Sequence, residues 1–144
     1  MDKLSREMHG ILSLARREQA SDIHIVVDLP PMFRVNGDIV MVETPPLRIK
    51  DTERLCFSLL NEEQIRTFKE TWQLCCSVHD PELGRFRVSI YNHAGAPEMA
   101  IRPVMDSVPN RDSLRLPEAI EDLTRLNSGL ILITGPTGSG KTPR

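Results

Sequence analysis

The residues best suited to chemistry stand near the end of the chain, at Gly135-Pro136-Thr137-Gly138-Ser139-Gly140-Lys141-Thr142. They match GxxxxGK[ST], the pattern of a phosphate-binding loop. Glycines at 135, 138 and 140 carry no β-carbon, so successive backbone N–H groups are free to converge on a β-phosphate. Lys141 would lie along the β- and γ-phosphates as a point charge, and Thr142 would offer its hydroxyl to a Mg²⁺ bridging them. A helix following the loop would add its N-terminal dipole to the anion site. The alternative reading is a glycine-rich turn carrying a solvated lysine.

Other reactive side chains give weaker patterns. His9, His24, His79 and His93 lack the spacing of metal ligands. Cys56, Cys75 and Cys76 cannot build a disulfide framework and contain no CxxC. Cys75 and Cys76 read as strand packing, not redox chemistry. Arg85 and Arg87 alternate with Phe86 and Val88, which puts both arginines on the wet face of a strand, where solvation is the plain expectation.

The loop has to be held by the elements around it. Leu130-Ile131-Leu132-Ile133-Thr134 reads as a strand apolar on both faces, the kind found at the centre of a parallel sheet. Pro117 suits the first position of a helix running to about Leu126, which Asn127-Ser128-Gly129 would stop. Upstream, Asp106 to Ser113 is polar and proline-containing. It reads as a linker between domains, with a long loop inside one domain as the alternative.

The first hundred residues follow a different pattern. Leu4, Met8, Ile11, Leu12 and Ala15 form the apolar stripe of a helix, with Arg6, Glu7, Arg16, Arg17 and Glu18 on its wet side. Ile23 to Val27 is β-branched and strand-like. Asn36-Gly37, which tolerates positive φ, joins Met32–Val35 to Asp38–Val42 in a tight hairpin. A helix from about Lys50 to Leu60 is followed by a second, opened by the capping box Asn61-Glu62-Glu63-Gln64. Strands at Leu74–Val78, Arg85–Tyr91 and Glu98–Val104 complete the order α-β-β-β-α-α-β-β-β, a half-buried antiparallel sheet with helices.

Composition excludes several classes. The 144 residues carry 18 basic and 20 acidic side chains, and neither half is strongly charged, so no basic face for nucleic acid is implied. The longest apolar run falls far short of the roughly 20 residues of a membrane span. Charges at Asp2, Lys3, Arg6 and Glu7 stand where a signal peptide would be apolar, which argues against export.

Five stretches resemble one family. They are Ala20-Ser21-Asp22-Ile23-His24-Ile25, Pro30-Pro31-Met32-Phe33-Arg34-Val35-Asn36-Gly37, Gly84-Arg85-Phe86-Arg87-Val88-Ser89, Ala100-Ile101-Arg102-Pro103, and Gly129 through Thr142. In order and spacing the set is similar to the PilT-like pilus retraction ATPases of the type II/type IV secretion ATPase group.

The resemblance implies an α+β chain: a PAS-like N-terminal domain over residues 1–105, a linker over 106–113, and the start of a RecA-like ATPase domain over 114–144. It implies ATP and Mg²⁺ as ligands, a ring of six identical subunits, and inner-membrane pilus or secretion platform proteins as partners. The location would be cytoplasmic or peripheral at the inner membrane. Such a motor would power pilus retraction, twitching motility or a related secretion. Arg87 and Arg102 match the family arginines that reach the γ-phosphate, a role that suits a guanidinium fork. In the same family Asp22 would cap a turn, and His24 would hydrogen-bond across a domain face. The family's acidic, metal-binding and histidine motifs would lie beyond residue 144, and Pro143-Arg144 departs from its pattern. The chain by itself is therefore expected not to hydrolyse ATP. A second reading from a different class is a non-catalytic interaction module whose PAS-like sheet docks on ATPase subunits.

Overall fold

The alternation in residues 84–93 decides which side of the sheet is dry: Phe86, Val88 and Ile90 are buried, and Arg85, Arg87 and Tyr91 are exposed. The computed structural model describes residues 5–104, 110–112 and 114–135. Its elements are α1 (Arg6–Arg17), β1 (Asp22–Ile25), β2 (Met32–Val35), β3 (Asp38–Met41), α2 (Ile49–Phe57), α3 (Glu62–Thr71), β4 (Gln73–Asp80), β5 (Gly84–His93), β6 (Ala96–Pro103) and α4 (Ala119–Thr124). Through β6 this is the expected order. The chain forms two compact units, Met1–Val104 and Met105–Arg144.

In the first unit six antiparallel strands lie in the order β3-β2-β1-β6-β5-β4. The hairpin turn between β2 and β3 has φ of 51° at Asn36 and 98° at Gly37, the positive pair a type I′ turn demands. Ala94 and Gly95 repeat this between β5 and β6. The central pairing is remote in sequence: Ile23 on β1 lies between Phe33 on β2 and Ile101 on β6.

Helices cover one face of the sheet. Met8, Leu12 and Ala15 of α1, Leu55 and Cys56 of α2 and Phe68 of α3 form one core with Ile23, Ile25, Phe33, Phe86, Val88, Ile90, Met99 and Ile101. Each helix start is closed locally. The Ser5 hydroxyl accepts from the Met8 N–H, Asn61 and Gln64 exchange both bonds of a capping box, and Asp51 accepts from the Arg48 N–H.

Arg16 corrects an expectation. It does not stay on the wet side of α1 but donates to the carbonyls of Arg85 at 3.1 Å and Val104 at 3.0 Å, with its guanidinium 4.8 Å from the Phe86 ring centre. The Arg85 carbonyl already accepts the Val104 N–H at 2.8 Å, so Arg16 takes up its second lone pair and the carbonyl of Val104, which the last turn of α1 brings within reach.

The second unit differs from its expectation in two places. The helix beginning near Pro117 is the six-residue α4, with no buried residue. Leu130–Thr134 forms no strand: among the described residues it has no ladder partner, and a strand without a neighbour leaves its backbone groups to water. Arg111 ties this unit locally, pairing with Asp112 at 3.0 Å and Glu121 at 3.1 Å. Among the described residues no helix is long and apolar enough to cross a membrane.

Candidate functional site

The face of the sheet opposite α1, α2 and α3 holds the polar site. Because strand neighbours align in register, one row crosses five strands: Arg34 on β2 opposite Asp22 on β1, Arg102 on β6 opposite Arg87 on β5, and Arg87 opposite Ser77 on β4. Ile23 faces Ile101, so the next residue outward on each strand brings Asp22 beside Arg102. The adjoining row, Phe33–Ile23–Ile101–Val88, is core. A slip of one residue in any strand would exchange the two faces.

Arg87 and Arg102 are thus direct cross-strand neighbours, although 15 positions separate them in the sequence. Like charges in that relation are unfavourable by a few tenths to about 1 kcal/mol. Their partners differ. Arg102 donates from Nε at 3.2 Å and Nη2 at 2.9 Å to Asp22 Oδ1. The Arg87 side chain has no hydrogen bond or ion pair among the described residues, and it lines a shallow cleft of about 400 Å³ with Cys75, Cys76, Ser77 and Val104. Such a guanidinium, with five donors and a permanent charge, is ready for an anion.

Asp22 does not cap a turn; it is the charged centre of the row. Its Oδ2 accepts the Ser21 hydroxyl at 2.8 Å and lies 3.7 Å from Arg34 Nε. Burial works to raise its pKa. The hydrogen bonds from Arg102 and Ser21, with the charges of Arg102 and His24, outweigh that and hold the carboxyl below its ordinary value. His24 lies two rows away on the same face, opposite Met32 and Ala100.

Of the phosphate-loop residues only Gly135 is among those described; Pro136, Thr137, Gly138, Ser139, Gly140, Lys141 and Thr142 lie outside them. The expected Mg²⁺ position at Thr142 lies outside with them. Among the described residues no group of acids, histidines and cysteines could hold a metal. The thiols divide by burial. Burial, with a smaller push from Glu98, drives Cys56 up to about 12, so it is inert at neutral pH. Cys76 packs partly against the core as expected, whereas Cys75 is exposed, 3.4 Å from the Ser89 hydroxyl.

Sequence reading missed the partnership of Asp22, Arg34 and Arg102. Its only local signal is the placement of Asp22 one residue before Ile23 and of Arg102 one residue after Ile101. That placement acquires meaning only once β1 is known to pair with β6.

The chain matches no protein-family model. It is 33% identical over 132 residues to the type IV pilus retraction ATPase PilT of Pseudomonas aeruginosa, covering 92% of this chain and 38% of that protein. It is 31% identical over 136 residues to the type IV pilus ATPase PilU of the same organism, covering 94% of this chain and 36% of that one. Among solved structures it superimposes on the pilus retraction motor PilT with bound ADP at a TM-score of 0.76 and 35% identity, over 91% of this chain and 38% of the other. The Legionella pneumophila ATPase DotB shares the fold, at a TM-score of 0.74 and 24% identity, over 97% of this chain and 41% of that chain. The chain therefore spans about two-fifths of the length of the relatives it matches. It is a homologue of the PilT-like pilus ATPases, and its six-stranded unit has the fold of their N-terminal domain.

Proposed function

We propose that this chain is the N-terminal part of a hexameric motor ATPase that binds and hydrolyses ATP with Mg²⁺ to drive pilus retraction or a related secretion. Residues 1–105 act as a PAS-like domain, 106–113 as a linker, and 114–144 as the start of a RecA-like domain. Gly135 to Thr142 hold the phosphates, Thr142 contributes to the Mg²⁺ site, and Arg87 and Arg102 meet the γ-phosphate. The motor works in the cytoplasm or at the inner face of the membrane, against platform proteins of the pilus or secretion machine.

One observation carries this reading: relatives named as pilus ATPases match more than nine-tenths of the chain. The sheet's chemistry supports it. The row from Arg34 to Arg87 holds three guanidiniums against one carboxylate, and Arg87 faces an open cleft without a partner among the described residues. Such a donor set fits the tail of a nucleoside triphosphate. When bound, Mg²⁺ would neutralise charge on that tail.

Calorimetry with MgATP tests the reading. The native chain is expected to bind weakly without turnover, Lys141→Ala to abolish the heat, and Arg87→Ala to weaken binding about tenfold, the loss of one charged hydrogen bond. No heat from the native chain would overturn the nucleotide reading. It would favour the interaction module instead, which the closed core of Met1–Val104 would suit.

A further inference from the structure

We propose that Asp22 is a positioning residue for the phosphate-binding arginines: it fixes Arg102 along the face of the sheet opposite the helices so that Arg102 and Arg87 grip one polyphosphate together. This rests on the reading of Arg87 and Arg102 given above. The geometry of the donors is the starting point. A guanidinium has five N–H groups in a rigid fork. Arg102 commits its Nε–H and one Nη2–H to a single oxygen, Asp22 Oδ1. The far edge of the fork, formed by Nη1 and the second Nη2–H, keeps the paired donors that fit two phosphate oxygens.

Without that contact Arg102 would have little to order it, because its side chain is 65% exposed and makes no other hydrogen bond or ion pair among the described residues. Asp22 is the fixed member of the pair. Its side chain is only 15% exposed, with Ser21 bonded to its second oxygen and Arg34 close by. Arg87, directly opposite Arg102 and without a partner of its own among the described residues, completes the grip. The ligand class is a linear polyphosphate anion. A long, flexible side chain loses less freedom on binding when it is already held.

The sign of one substitution separates positioning from simple charge. Asp22→Asn removes a negative charge beside an anion site, so charge alone would tighten binding. Positioning demands the opposite. The experiment titrates the ¹⁵N-labelled 144-residue chain with tripolyphosphate at physiological salt and follows the arginine Nε–H signals by NMR. In the native chain the Arg87 and Arg102 signals should move on one isotherm. Asp22→Asn should weaken that isotherm about fivefold, with Asp22→Glu restoring it to within about twofold. Arg102→Ala should weaken it as Asp22→Asn does, and the double variant no further than Arg102→Ala alone.

Backbone amide signals of β5 and β6 report whether each variant keeps its fold. Native-like or tighter binding by folded Asp22→Asn overturns the proposal and leaves the arginine reading standing. Additive losses in the double variant also overturn it, because Asp22 would then act by a route other than Arg102. If neither Nε–H signal of the native chain responds to millimolar tripolyphosphate, the arginine reading falls and the proposal with it.

Discussion

Two sets of apolar residues in this chain meet opposite fates. Ile23, Ile25, Met99 and Ile101 are fully or almost fully buried, while Leu130 and Leu132 are 82% and 73% exposed. Both sets belong to segments that read as strands. The difference is in what each finds beside it. β1 lies between β2 and β6 under the helical layer, so its ladder bonds and its apolar side chains are satisfied together. Residues 130–134 have no ladder partner among the described residues. An apolar run therefore specifies a strand only where a partner comes within hydrogen-bonding reach, and hydrophobicity alone does not supply one.

The sharpest way to break this comparison is to damage the satisfied side. Phe86 is fully buried in the middle of the core, beneath the Arg16 guanidinium. Phe86→Ala should destabilise the sheet unit by about 3–5 kcal/mol, combining lost transfer energy with a cavity that close-packed neighbours cannot fill. Urea denaturation followed by far-UV circular dichroism would read this as a much lower midpoint. A shift worth less than about 1 kcal/mol would mean that the layer over β5 is loose, and the contrast with residues 130–134 would lose its basis.

Acid should expose a smaller effect on the same side. Burial raises the pKa of Asp80, but the N–H groups of Leu83 and Glu82, with His9 and His79 nearby, prevail and lower it, just as Arg102 and Ser21 lower Asp22. Unfolded aspartates titrate near 3.8. A carboxyl held lower in the fold contributes stability that is complete above the unfolded value and is lost as pH falls through the folded value. The urea midpoint should therefore drop as pH is lowered below about 4, and less steeply in Asp80→Asn, which lacks one of the linked groups. An identical slope in that variant would show that the Asp80 turn at β4–β5 is not a source of the dependence.

Legibility in the sequence follows the range of the interaction. The Asn36-Gly37 turn, the Asn61–Gln64 capping box and the alternation from Arg85 to Tyr91 are all set by residues within about ten positions of one another, and each is present in the structure. The element order follows from such local signals. The strand order does not, because β1 joins β6 across more than seventy residues and nothing near Ile23 announces Ile101. The candidate site divides in the same way. Arg87 can be placed on a face from its own strand. The neighbour relation of Arg87 to Arg102, and the hold of Asp22 on Arg102, require the register. Arg16 escapes a local reading for the same reason: helical periodicity gives the side of a helix, not the carbonyls that a strand end brings to it.

The smallest expected effect probes the other side of the comparison. Leu132→Ser replaces an isobutyl group that already faces water, so little apolar area changes its environment. No ladder bond is at stake among the described residues, and serine has room wherever leucine was solvated. The urea midpoint of the sheet unit should stay within about 0.5 kcal/mol of native, the range of substitutions on an open surface. Backbone amides of residues 130–134 should also exchange with solvent far faster than those of β5 and β6, in native chain and variant alike, since N–H groups without a ladder partner have no opening step to wait for. Slow exchange there, or a loss of stability above about 1 kcal/mol, would mean that Leu132 has found cover in solution, and residues 130–134 would then belong with β1 and not opposite it.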